Sequence, residues 1–286
     1  MPIRLLALDL DGTLLNSRGE LSAGNREALA NAREAGVKVA LVTGRRFRDA
    51  RPIALELGLD VPVIAHNGAL TKHAQTLETV AFLPLPLEAA RKALSLGRTT
   101  GADPIMSDDH EGLGLLVYDH VSGDNRAAQK YIAWALRVHG EKGADAVRQV
   151  ESLEQYLDHD PIHLAFSGDR GEMEKLEQLL IRELPTAVKT FCVSFATRDF
   201  AILDIVHPAA SKGVGVAAAA AELGISREEV MAVGDNLNDL EMLAYAGIGV
   251  VMGNAEPALH DLEGLHPTGT SDDDGVAQAI ERFILS

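Results

Sequence analysis

Short apolar runs recur at the two ends of this chain, each followed by an amphipathic stretch of helical length. That alternation restricts the fold more than any other feature of the sequence. A strand buried in a parallel sheet reads as a continuous apolar run because both of its faces are covered, and the helix that returns the chain shows a 3.6-residue period. Leu5–Leu8 is the first such run. Ser22 can cap a helix through Glu27, Leu29 and Ala32 that ends at Gly36, where Val37–Val42 opens a second apolar, β-branched run. A helix near Arg48 to Leu57 stops at Gly58, and Val61–Ala65 gives a third run that leads into His66, Asn67 and Gly68. The same rhythm returns late in the chain. An Ala-rich helix from Lys212 to Leu223 precedes a strand at Val230–Val233, a helix around Leu240–Ala246, a strand at Ile248–Val251 and a closing helix at Gly275–Leu285.

Between about Leu83 and Val206 the texture changes. Helices near Leu87–Leu96, Asn125–Val138 and Glu172–Glu183 interleave with short strands near Leu113–Tyr118 and Ile162–Phe166. A hairpin of Phe191–Ala196 and Phe200–Val206 turns through Thr197, Arg198 and Asp199. The pattern predicts a parallel α/β core, residues 1–82 and 207–286, with an α+β insertion at 83–206. Tyr131 and Trp134, at helical spacing with Ala128 and Leu136, read as core, and the single Cys192 reads as a small buried hydrophobe that has no partner for an intramolecular disulfide.

The excess of 42 acidic over 26 basic residues, a net charge of −16, argues against broad contact with nucleic acid or an anionic membrane surface. No run approaches the roughly 18 uncharged apolar residues of a membrane span, and the first ten residues do not read as a signal peptide. A cytoplasmic protein with no obligate protein partner is the expectation. An acidic chain can still bind a phosphorylated ligand, because a bound cation is the largest local charge in its pocket.

Asp9-Leu10-Asp11-Gly12-Thr13 follows the first strand, and ligands of open α/β sheets bind outside the carboxyl ends of the strands. Two carboxylates two residues apart on an extended backbone can point to one side, where they repel unless a cation or shared proton intervenes. An Asp-Gly pair alone is common turn chemistry. A second acidic group, Gly234-Asp235-Asn236-Leu237-Asn238-Asp239, follows Val230–Val233 in the same manner. Converging hard oxygen ligands suit Mg²⁺. Thr43-Gly44-Arg45 follows the second strand, and Lys212 begins a helix. A hydroxyl, backbone N–H groups and a compact cation are what a phosphoryl group needs.

In order, spacing and strand-end position these four segments resemble the haloacid dehalogenase-like hydrolase superfamily. The large insertion between Thr43 and Lys212, with Asn67-Gly68-Ala69 after the third strand, resembles its Cof-type branch. The resemblance implies a Rossmann-like core with an inserted cap, and a phosphatase of small phosphorylated metabolites such as sugar phosphates. It implies that Asp9 attacks phosphorus to form an aspartyl phosphate while Asp11 serves as acid and then base. By the same resemblance Mg²⁺ is held by Asp9, the Asp11 backbone carbonyl and Asp235. Asp239 belongs to the metal site, as a ligand or by fixing Lys212 or a metal-bound water, Thr43 and Lys212 bind phosphoryl oxygens, and Gly44, Asn67, Gly68 and Asn238 lie near the phosphate. His66 is assigned a structural or supporting place. A phosphomutase, or a catalytically idle sugar-phosphate sensor, would carry much the same residues. A dehalogenase would not need Asp11 and Asp235, and an imine-forming phosphonatase would need one cap lysine singled out from Lys92, Lys130 and Lys175, which the sequence does not do.

Overall fold

The computed structural model describes residues 2–138, 145–195 and 199–286. Contacts divide the chain into two units, Met1–Phe82 with Ser211–Ser286, and Leu83–Ala210.

The first unit opens with β1 (Leu5–Asp9), α1 (Ala23–Glu34), β2 (Lys38–Val42), α2 (Phe47–Glu56), β3 (Pro62–Ala65), β4 (Leu70–His73) and β5 (Thr79–Phe82). The second unit follows with α3 (Leu87–Thr99), β6 (Asp103–Asp108), β7 (Leu115–Tyr118), α4 (Arg126–Val138), β8 (Val147–Gln149), α5 (Leu153–Tyr156), β9 (His163–Gly168), α6 (Arg170–Glu183), β10 (Lys189–Phe195) and β11 (Phe200–Val206). The chain then completes the first unit with α7 (Lys212–Glu222), β12 (Val230–Gly234), α8 (Leu240–Tyr245), β13 (Ile248–Val251), α9 (Pro257–His260), β14 (Leu265–Pro267) and α10 (Gly275–Ile280).

The core sheet runs β14-β13-β12-β1-β2-β3-β4-β5. Its first six strands are parallel, and β4 and β5 add an antiparallel edge. β1 is central and wholly buried, which explains its unbroken apolar sequence. Successive connections move away from β1 in one direction through β2 and β3, and in the other through β12, β13 and β14. The order therefore reverses at β1, and a crevice opens outside its carboxyl end. Ser22 caps α1 as its sequence predicts, accepting from the Asn25 N–H at 3.1 Å. The closing helix is shorter than expected: α10 ends at Ile280, and Glu281–Leu285 continues as a wider π-type turn.

The inserted unit is a six-stranded sheet, β10-β11-β9-β6-β7-β8, antiparallel except for the β7–β8 pair. Leu94, Leu176 and Leu180 from α3 and α6 pack on Met106, Leu164, Phe166 and Leu203 of one face. Ala128, Ile132 and Ala135 of α4 pack on Ile105, Leu116 and Val147. Tyr131 and Trp134 stack with ring centroids 5.8 Å apart, but they are half-buried at the margin of that cluster and Leu136 is exposed, so the core assigned to them belongs to Ala128, Ile132 and Ala135. Cys192 is half-buried against the larger cluster. Ala196, Thr197 and Arg198 of the expected hairpin connection lie outside the described residues.

Candidate active site

Parallel pairing fixes the ends of β1, β2 and β12 side by side, with Asp9 level with Val42 and Leu8 level with Val233. The groups that follow these strands therefore converge without help from loop sequence. Asp9 ends β1 and is 5% exposed. The chain then folds back, the Leu14 and Leu15 N–H groups donating to the carbonyls of Asp9 and Leu10. Gly12 makes this turn at φ +83°, and a Cβ there would stand 2.4 Å from Asp235 Oδ2, so both the backbone and the space require glycine. Buried Thr13 donates from Oγ1 to Asp235 Oδ1 at 2.9 Å, tying the first acidic segment to the second.

Lys212 enters the site at the first turn of α7, whose N-cap is Ser211. That helix start lies against Gly68, at φ +88°, where a Cβ would meet the Ser211 carbonyl oxygen at 1.9 Å. The Lys212 ammonium is 2% exposed. It donates to Asp9 Oδ1 at 2.6 Å, Asp239 Oδ1 at 2.5 Å and Asn238 Oδ1 at 3.4 Å. Asp239 Oδ2 accepts the N–H groups of Asp235 and Asn236 at 3.0 and 2.9 Å, so both of its oxygens are engaged. Asn238 Nδ2 donates to Asn67 Oδ1 at 2.9 Å, and Asn67 sits at φ +54° with its N–H donating to the Thr43 carbonyl. Thr43 is buried, its hydroxyl accepting the Arg45 N–H at 3.0 Å, and Gly44 lies against the Asn67 side chain.

Carboxylate oxygens of Asp9, Asp235 and Asp239 lie within 4.8 Å of one another, with one ammonium among them. The charge is unbalanced by design of the site. Burial, opposed by Lys212 and reinforced by Asp239 and Asp235, pushes the Asp9 carboxyl well above its usual range. Burial and the Asp239 charge raise Asp235 to about 6. Lys212 is held charged: its carboxylate partners more than offset its burial. Carboxyls lifted in this way accept a hard divalent cation in place of protons, so the donor set fits Mg²⁺.

Of the residues nominated from sequence, Asp9, Thr43, Gly44, Asn67, Gly68, Lys212, Asp235, Asn238 and Asp239 meet in this network. Asp11 stands apart. Its carboxylate is 59% exposed and is gripped by Arg45, Nε to Oδ2 at 2.7 Å and Nη2 to Oδ1 at 2.5 Å. His66, at φ +52°, is buried and its Nε2 accepts the Phe47 N–H, a structural task. Two residues of the site carried no assignment in the sequence. Arg45 lay inside a quoted motif without a role. Asn254, which donates to the Gly12 carbonyl at 2.8 Å and accepts the Ser271 N–H at 2.7 Å, follows β13 just as the other groups follow their strands. The strand-end rule extended to β13 would have found it.

A profile described as haloacid dehalogenase-like hydrolase matches residues 6–280. The chain is 31% identical over 288 residues to the putative phosphatase YxeH of Bacillus subtilis, covering 99% of each chain. It is 30% identical over 295 residues to the pyridoxal phosphate phosphatase YbhA of Escherichia coli, covering 100% of each. A crystal structure of a haloacid dehalogenase-like hydrolase from Bacteroides thetaiotaomicron superposes with a TM-score of 0.79 at 28% identity, over 98% of this chain and 99% of that one.

Proposed function

We propose that this chain, which belongs to the Cof-type branch of the haloacid dehalogenase-like hydrolases and hydrolyses phosphoric monoesters, is a Mg²⁺-dependent phosphatase of small phosphorylated metabolites working through a phosphoryl group carried on Asp9. The observation that carries the proposal is the buried Asp9–Lys212–Asp239 array beside Asp235 at the carboxyl end of β1.

Lys212 fixes the Asp9 carboxylate through Oδ1, positioning it to attack phosphorus in line with the leaving oxygen. Mg²⁺ bound by Asp9, Asp235 and the Asp11 backbone carbonyl would supply the positive charge that lets an anionic nucleophile approach an anionic phosphate. Thr43 and Lys212 stabilise the phosphoryl oxygens, and Asn238 and Asn67 brace the same side. Asp239 orients Lys212 and the loop that carries Asp235, and lies with Asp9 and Asp235 in the carboxylate group that could hold the ion. Asp11 gives a proton to the leaving oxygen and then takes one from the water that opens the aspartyl phosphate.

The deciding experiment measures phosphate release from a panel of phosphorylated metabolites with Mg²⁺. Asp9→Asn is expected to lower kcat by about three orders of magnitude or more while the protein stays folded. Near-normal turnover of that variant would refute covalent catalysis.

A further inference from the structure

The Asp11 carboxylate has to reach the leaving oxygen, yet both of its oxygens accept hydrogen bonds from the Arg45 guanidinium, at 2.7 and 2.5 Å. A carboxylate held side-on by such a fork has both oxygens turned toward the guanidinium, and so is not at the same time aimed at a leaving oxygen on phosphorus. The closed fork and the working acid therefore exclude each other. Something in the catalytic cycle must open the pair.

The backbone of Arg45 is pinned. Its N–H donates to Thr43 Oγ1 at 3.0 Å and its carbonyl accepts the His66 N–H at 3.0 Å, so opening must come from the side chain. The same bonds place Arg45 beside the hydroxyl assigned to the phosphoryl group. The guanidinium is two-thirds covered, and although burial opposes it, the hydrogen bond and charge of Asp11, with Asp49 and Asp9 beyond, keep it charged. A planar fork of N–H donors matches two phosphoryl oxygens as well as it matches a carboxylate, and a phosphoryl dianion carries more charge than the carboxylate it would displace.

We infer that Arg45 is a substrate-operated clamp on Asp11. In the free protein it holds the Asp11 carboxylate away from the Asp9–Lys212 array; when a phosphoryl group arrives, its oxygens take the guanidinium and Asp11 is released toward the leaving oxygen. The event is an exchange of two hydrogen bonds with no covalent change. Arg45 is thus a phosphate-binding residue as well as the positioning residue of Asp11. A molecule without a phosphoryl group leaves the acid parked. The inference rests on the function proposed above.

The test is a double-mutant cycle read by calorimetric binding of inorganic phosphate to the Mg²⁺-loaded protein, which needs no turnover. Arg45→Met is expected to weaken phosphate binding about tenfold or more. Asp11→Asn, which removes the competitor for Arg45, is expected to tighten it several-fold. In the Asp11→Asn, Arg45→Met double variant that gain should vanish. A gain that persists without Arg45 comes from relief of charge repulsion between Asp11 and phosphate, and would overturn the clamp; so would wild-type affinity in Arg45→Met. If Arg45→Met does not fold, Arg45→Lys keeps the charge, loses the fork and carries the same cycle. Wild-type protein that binds no phosphate with Mg²⁺ would sink the proposed function and the clamp together, whereas binding without coupling would sink the clamp alone.

Discussion

At the carboxyl edge of the core sheet, charged groups are buried: Asp9, Lys212 and Asp239 are 5, 2 and 0% exposed. In the inserted unit several ion pairs are more exposed, with His159 between Asp108 and Asp158, and Arg98 reaching Asp119 and Glu154. The side chains between its sheet and helices α3 and α6 are apolar. Burying a charge is costly unless its partners are fixed, and in this array each buried charge is held by another. The His159 pairs of the inserted unit are screened by water and can be exchanged with little effect on its fold.

The sharpest way to break this contrast is to remove the one cation of the core array. Lys212→Met is expected to lower phosphate release by about three orders of magnitude. It should also destabilise the metal-free protein by about 3–5 kcal/mol, because buried carboxylates lose their partner. Unfolding in urea without Mg²⁺ checks the second figure, and an unchanged midpoint would mean that the array is not what it is taken to be.

Asp235→Asn should have the opposite character. It is expected to raise the Mg²⁺ concentration for half-maximal activity about tenfold or more, while leaving metal-free stability at pH 7 equal to or above that of wild type. The sign follows from its carboxyl, which burial and Asp239 raise to about 6. A folded value above the unfolded one, near ~3.9, means that the fold favours the protonated acid. That favour is present below the unfolded value and is lost as pH rises through about 6. Mg²⁺ must displace the same proton, so the rise in melting temperature on adding Mg²⁺ should be larger at pH 7.5 than at pH 5. An equal rise at both would remove Asp235 from the ligand set.

The smallest effect belongs to the inserted unit. The hydrogen bond to Asp158, against some burial and with help from Asp108, raises His159 above its usual value. The stability this pair contributes is complete below the unfolded value near ~6.5 and is lost as pH rises through the folded one. His159→Gln should therefore lower the melting temperature by only about 1–2 °C at pH 5.5 and not at pH 9. A loss as large as that of Lys212→Met would erase the distinction between the units.

Much of the core site was legible because Asp9, Thr43 and Asp235 stand directly after apolar runs, and parallel pairing brings strand ends together whatever the loops contain. The Arg45–Asp11 fork was not legible: the two residues are 34 apart in sequence and no local pattern joins them. β4 was missed because Thr71 and Lys72 are polar but fully buried, with the Lys72 ammonium over the Phe47 ring at 5.6 Å, so the strand lacks the apolar run that marks its neighbours. β6 was missed for a related reason, since Asp103, Pro104 and Ser107 interrupt its apolar positions. Tyr131 and Trp134 were read as core from their helical spacing with Ala128 and Leu136, whereas Ala128, Ile132 and Ala135 face the sheet and these rings pack at the margin.

The central place of β1 also governs how the protein is made. Leu5 pairs with Lys38 on one side and with Val230 on the other. β1 thus has one neighbour almost at once and must wait for the other, which at about 5–20 residues per second is a delay of roughly 10–45 s. Throughout that interval one edge of the strand that ends fully buried at the centre of the sheet stands open, and the Asp9 side chain has no Lys212 to meet it. The pairing that completes the sheet therefore also completes the Asp9–Lys212 array, so the site closes only when the chain's late segment arrives.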